Sequence, residues 1–257
     1  MKTIQYIFFM CLSILLLSCS SDDNSSEVVV KTSNVLVTFD NRISANQDLS
    51  LGSSIFITQS GETITTNTLK YIVSNIQLVK DDGTVFSYPQ EDSYFIINEQ
   101  NQSSLQLNLT EIPVGNYTQI KFGIGVDPSK YPIESGALNF IPQAQEENMI
   151  WNWAAGYIFI KFEGTFIPQN SMQSDTFTIH VGSHGANLDN YKTVTLPLQN
   201  SVNVSTGNSA NIQITSYIAN ILDATHQITL ENTSDIQVDP VNAPKIATNL
   251  ESVFNAQ

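Results

Sequence analysis

The chain has 257 residues, and its 24 Asp and Glu against 10 Lys and Arg give a formal net charge of −14. That acidity disfavours nucleic acid and bare anionic membrane as partners, since like charges repel. Both cysteines lie within the first 19 residues, so the body of the chain has no thiol or disulfide, which excludes zinc fingers, iron–sulfur clusters, blue-copper centres and Cys–His catalysis.

Residues 1–18 place one basic residue, Lys2, ahead of an apolar run too short to span a bilayer, and read as a signal peptide. The run ends in Leu16-Leu17-Ser18-Cys19, which resembles a bacterial lipobox, where cleavage precedes a cysteine carrying lipid on its sulfur. The alternative is an ordinary signal peptide with a chance cysteine. Acyl chains, at roughly 0.8 kcal/mol per buried methylene, would hold the protein on a membrane. Loss of Lys2 moves the formal charge from −14 to −15. Residues 19–33 are then a lipidated cysteine and a flexible tether, Ser- and Asp-rich from Ser20 to Ser26 and similar to the acidic export signal of Bacteroidota surface lipoproteins. These features predict a cell-envelope protein, lipid-anchored to the outer membrane and exposed at the surface.

From residue 34 to 257 the composition is even, as expected of a single domain. Asn34 to Asp40 alternates apolar and polar residues, and Leu69 to Val79 runs into Asp81-Asp82-Gly83, a hairpin-turn signal. Short apolar segments follow: YFII, LQLNL, YTQIKFGIGV, YIFIKFEG, TFTIHVG, TVTLPL and ANIQITSYI, separated by Gly, Pro, Asn and Asp. Pro244 suits a first helical turn, and Ile246, Leu250, Val253 and Phe254 share a face at helical spacing. The predicted fold is all-β, an antiparallel, Greek-key-like β-sandwich closed by a short C-terminal helix.

Catalytic constellations are lacking. No G-x-S-x-G, H-E-x-x-H or glycine-rich phosphate loop occurs, and Asp81-Asp82 and Glu146-Glu147 fall in polar, turn-like stretches, so no enzyme is expected. His226 precedes a short strand and reads as solvated or structural. His180 and His184 are the candidate metal ligands. If Phe177, Ile179 and Val181 face the core, His180 points to the opposite face, and His184 follows in a Gly-flanked loop. Neutral imidazole suits copper, zinc or nickel.

The only tryptophans, Trp151 and Trp153, sit in MIWNWAAGYIFIKFEG. In an extended strand they share a face with Tyr157 and Phe159, while Ile158, Ile160 and Phe162 take the other, which reads as core packing in a central strand. Folding about a turn at Pro168–Ser171 sets His180 opposite about residue 159 and His184 opposite about residue 155. On a straight hairpin Trp153 and His180 would be roughly 20 Å apart, and only a bend near Ala154-Ala155-Gly156 would join them.

Taken in order, LKYIVSNIQL, SYFIIN, IPVGNYTQIKFGIGVD, MIWNWAAGYIFIKFEG and FTIHVG resemble the MbnP-like family, secreted and often lipid-anchored proteins related to the methanobactin-associated periplasmic copper protein. The resemblance runs from about Val35 to Phe254 and points to a lipoprotein member of Bacteroidota type. It implies a β-sandwich that binds copper outside the cytoplasm. In some relatives it also implies a partner di-haem enzyme that oxidises a tryptophan to kynurenine. Trp151 and Trp153 become candidates for that oxidation, and His180 the candidate ligand. The W-x-W motif holds Asn152 where copper-binding relatives place a histidine nearby, and a three-histidine site would require His180, His184 and His226 together. Met149 and Met172 are candidate soft ligands for copper(I). Two readings result: a non-catalytic surface lipoprotein for copper capture or handling, or a metal-free sandwich that is a binding or structural surface lipoprotein with a glycan, peptide or protein partner.

Overall fold

The computed structural model describes residues 30–127, 141–151, 156–183 and 188–257. The signal peptide, Cys19, most of the tether, Trp153 and His184 lie outside the described residues.

The smaller of two sheets is built on β1 (Thr32–Ser44), where the expected alternation buries Val35, Val37, Phe39, Asn41 and Ile43. One edge of β1 pairs with β13 (Ala210–Tyr217), which carries β15 (Phe254–Ala256). The other edge pairs with β2 (Gln47–Asp48) and β7 (Gln106–Pro113). The larger sheet runs β12 (Lys192–Val204), β8 (Gly115–Ile124), β4 (Thr63–Lys80), β10 (Gly156–Ile167), β11 (Asp175–Gly182) and β14 (Asp235–Ile236). The short strands β3 (Ile55–Ile57), β5 (Val85–Ser87) and β6 (Tyr94–Asn98) pair with β4, and β9 (Ile150–Trp151) pairs with β10.

Both expected turns are present. Gly83, at φ +84°, closes the β4–β5 hairpin, while the Thr84 amide donates to the Asp82 carboxylate. Pro168–Ser171 closes β10 onto β11 through a bond from the Ser171 amide to the Pro168 carbonyl. The sandwich is mostly antiparallel, but β1–β13 and β11–β14 pair in parallel. No hairpin joins the members of either pair, so nothing local forces them to run in opposite directions.

Inward residues of the two sheets form the main core, where Phe254 meets Tyr71 and Phe122 edge-on at 5.6 and 5.4 Å between ring centroids. The C-terminal helix α2 (Asn242–Leu250) buries Ala243, Ile246, Ala247 and Leu250. It ends before Val253 and Phe254, which sequence spacing assigns to the same helical face. Both are buried, but Phe254 starts β15, because the open edge of β13 accepts its backbone while its ring fills the core.

A second apolar cluster lies on the outer face of the larger sheet. Ile72, Tyr94 and Ile96 alternate with the core residues Tyr71, Val73 and Ile97, and α1 (Ile141–Glu146) with the following chain adds Ala144, Met149 and Trp151. A register shift in β10 between Ile158 and Ile160 sends Tyr157, Ile158 and Phe159 into this cluster together, so Ile158 departs from the simple alternation.

Candidate metal site on the outer face

β11 alternates as its sequence predicts. Phe177, Ile179 and Val181 enter the main core, and His180 stands on the outer face with Thr178 and Gly182. Its cross-strand partner is Lys161, two residues from the expected position 159. One step diagonally lies Glu163, whose Oε1 is 2.6 Å from His180 Nε2. The hydrogen bond from His180 is the main force holding the Glu163 carboxyl below its ordinary pKa, against the opposing effect of burial. An ionised carboxylate can only accept, so Nε2 carries the proton and donates. In a neutral ring the lone pair then sits on Nδ1, which makes no hydrogen bond among the described residues.

Trp151 approaches this histidine from the side. β9 runs antiparallel to the start of β10, pairing Trp151 with Gly156 and Ile150 with Tyr157. Trp151 therefore does not extend β10, as a continuous strand would require, but lies back beside its beginning. The indole rests on Gly182: a β-carbon there would come 2.6 Å from Trp151 Cζ3. Gly182 is two residues beyond His180 on the same face, about 7 Å away at strand spacing. Trp151 and His180 thus occupy neighbouring side-chain positions, and a route between them exists that the straight hairpin lacked. The indole is also core, 5% exposed and packed with Met149 and Tyr157. Burial pushes the Tyr157 hydroxyl up to about 12.

The other candidates separate. Met149 is fully buried in the outer cluster with Trp151, whereas Met172 is 100% exposed at the β10–β11 turn. His226 is pinned by its backbone to Asn249, whose side chain accepts from the His226 amide and donates to its carbonyl. Among the described residues no three His, Cys, Asp or Glu side chains converge to hold a metal, so His226 does not join the His180–Glu163 pair. The residues present fit a copper ion in one respect. Metal-binding histidines commonly donate their second ring nitrogen to a carboxylate, as His180 does to Glu163, which leaves the other nitrogen for the ion. His184 and Trp153 flank this region in sequence but lie outside the described residues.

Sequence reasoning passed over Glu163, Lys161 and Gly182. Glu163 is the third outward residue in Phe159-Ile160-Lys161-Phe162-Glu163, and shifting the hairpin register by two makes it the diagonal neighbour of His180. Gly182 offers only an absent side chain, which no periodicity marks as a seat for an indole.

No curated protein matches the sequence. A solved structure, MbnP from Methylosinus trichosporium, is similar at 14% identity and a TM-score of 0.49, covering 75% of this chain and 78% of that one. The sequence model of the MbnP family matches residues 32–242, from the first strand through the start of α2. The chain belongs to the MbnP family.

Proposed function

We propose that this MbnP-family protein is a non-catalytic lipoprotein of the cell envelope that captures or handles copper at the outer face of its larger sheet. Residues 1–18 would be its signal peptide, Cys19 its lipid attachment on the outer membrane, and 34–257 its single binding domain. The observation that carries the copper reading is the His180–Glu163 pair, with Nδ1 left over, beside the indole of Trp151. His180 would be the first ligand and His184 the second. Glu163 holds the ring in the tautomer that leaves Nδ1 basic, and Trp151 with Met149 keeps water from one side of the site. Trp151 and Trp153 are the residues a partner di-haem enzyme would oxidise, adding an amine and a carbonyl as further ligands.

Copper titration of the mature domain with bound-metal analysis tests this reading, alongside His180→Ala and His184→Ala. Near-stoichiometric copper that weakens on loss of His180 supports it. Absence of binding, or binding indifferent to both changes, overturns it in favour of a metal-free sandwich. Intact mass of protein from its native host reports whether either tryptophan has been oxidised.

A further inference from the structure

Lys70 and Lys161 stand directly opposite each other on β4 and β10, both on the outer face. Like charges so placed are unfavourable unless something else holds them there. Here both ammonium groups reach the same piece of chain, the turn between α1 and β9. Lys70 Nζ lies 2.5 Å from Glu147 Oε2 and donates to the Glu147 carbonyl at 3.2 Å, while Lys161 Nζ donates to the Asn148 carbonyl at 2.8 Å. Asn98 adds a 2.9 Å bond to the same Glu147 oxygen. The Lys70–Glu147 pair is largely enclosed, with side chains 13% and 21% exposed, so it is less screened than a surface ion pair.

The clamped turn points at the candidate site. Asn148 adopts a left-handed φ of +55°, tolerated better by Asn than by most residues, and from there the chain leads through Met149 to Trp151. Lys161 is also the register partner of His180. One lysine therefore grips the segment that carries the indole and pairs across the strands with the histidine two residues from the glycine on which that indole rests.

We propose that Lys70 and Lys161 are positioning residues that fix Trp151 on Gly182 beside His180 and so set copper affinity without contributing a ligand. The effect on copper rests on the function proposed above, whereas the placement of the indole does not. In a Trp153→Phe background Trp151 is the sole reporter. Lys70→Met and Lys161→Met keep the aliphatic stems and remove the ammonium groups, Lys161→Arg restores a donor and charge, and Glu147→Gln weakens the clamp from the other side with the sheet intact. Acrylamide quenching of Trp151, measured metal-free and well below the melting temperature, should rise at least twofold in both methionine variants and in Glu147→Gln, and return in Lys161→Arg. Copper dissociation constants from chelator competition, measured with Trp153 retained in parent and variants, should rise about tenfold in parallel. Unchanged quenching in all three weakened variants overturns the clamp, even if the parent binds no copper. Increased quenching at unchanged copper affinity overturns the positioning role in metal binding. A parent that binds no copper refutes the proposed function alone, because the quenching still decides the clamp.

Discussion

Gly182→Ala tests the seat of the indole most directly. An added β-carbon would lie 2.2 Å from the Tyr157 carbonyl oxygen and 2.6 and 2.7 Å from Trp151 Cζ3 and Cη2. Comfortable carbon–carbon contact begins near 3.5 Å, so the ring must withdraw by roughly 1 Å, and the β10 backbone must also shift. Overpacking of this kind costs about 1–3 kcal/mol. For a domain of about 150–250 residues each kcal/mol lowers Tm by about 2–4 °C, so a fall of about 2–12 °C is expected. Gly207→Ala is the control. Nothing lies within 4 Å of its added carbon, and only its φ of +84° is penalised. Thermal melts followed by Trp151 fluorescence, with Trp153 replaced by Phe, should show a red-shifted native spectrum for Gly182→Ala and an unshifted one for Gly207→Ala. A native Gly182→Ala spectrum and melt identical to the parent would refute the packing of Trp151 on β11, and the neighbourhood of Trp151 and His180 with it.

Glu163→Gln replaces a charge-assisted hydrogen bond with a neutral one, a loss of about 1–1.5 kcal/mol that corresponds to about tenfold weaker copper binding through His180; equal affinity in chelator competition would remove Glu163 from the site. The same variant probes pH dependence. Because Glu163 titrates below its unfolded value of about 4.3, its contribution to stability is present above that value and lost as pH falls through the lower folded one. Urea midpoints of parent and Glu163→Gln should therefore differ at neutral pH and converge in acid, and a gap that persists in acid would contradict the pairing. Phe254→Ala empties the place where its ring meets Tyr71 and Phe122, at a cost of about 3–5 kcal/mol by urea unfolding; a cost under about 1 kcal/mol would contradict its burial.

The architecture was legible because strand periodicity is local. Phe177, Ile179 and Val181 declare their own face, and Pro168–Ser171 sets the hairpin register to within two residues. Less legible was anything set by distant pairing. The parallel contact of β1 with β13 joins residues about 175 positions apart, and the edge of β13 draws Phe254 out of its helical pattern. The candidate site divides in the same way. His180 could be assigned to the outer face from its neighbours alone. Its meeting with Trp151 depends on β9 turning back beside β10, and the partnership with Glu163 on a diagonal that a two-residue register error conceals. The lysine clamp was beyond reach, because a pair of exposed-looking lysines acquires meaning only from the carbonyls they meet.

The position of β1 has a mechanical consequence. This strand takes in Thr32 and Ser33, the last two residues of the expected tether, and is hydrogen-bonded on both edges, to β13 along one and to β7 and β2 along the other. A pull arriving at Thr32 along the strand axis would load those two rows of bonds in shear, many at once, rather than peel them one by one. A pull from the proposed lipid anchor would therefore enter the middle of the smaller sheet, whereas His180 lies on a strand of the larger one.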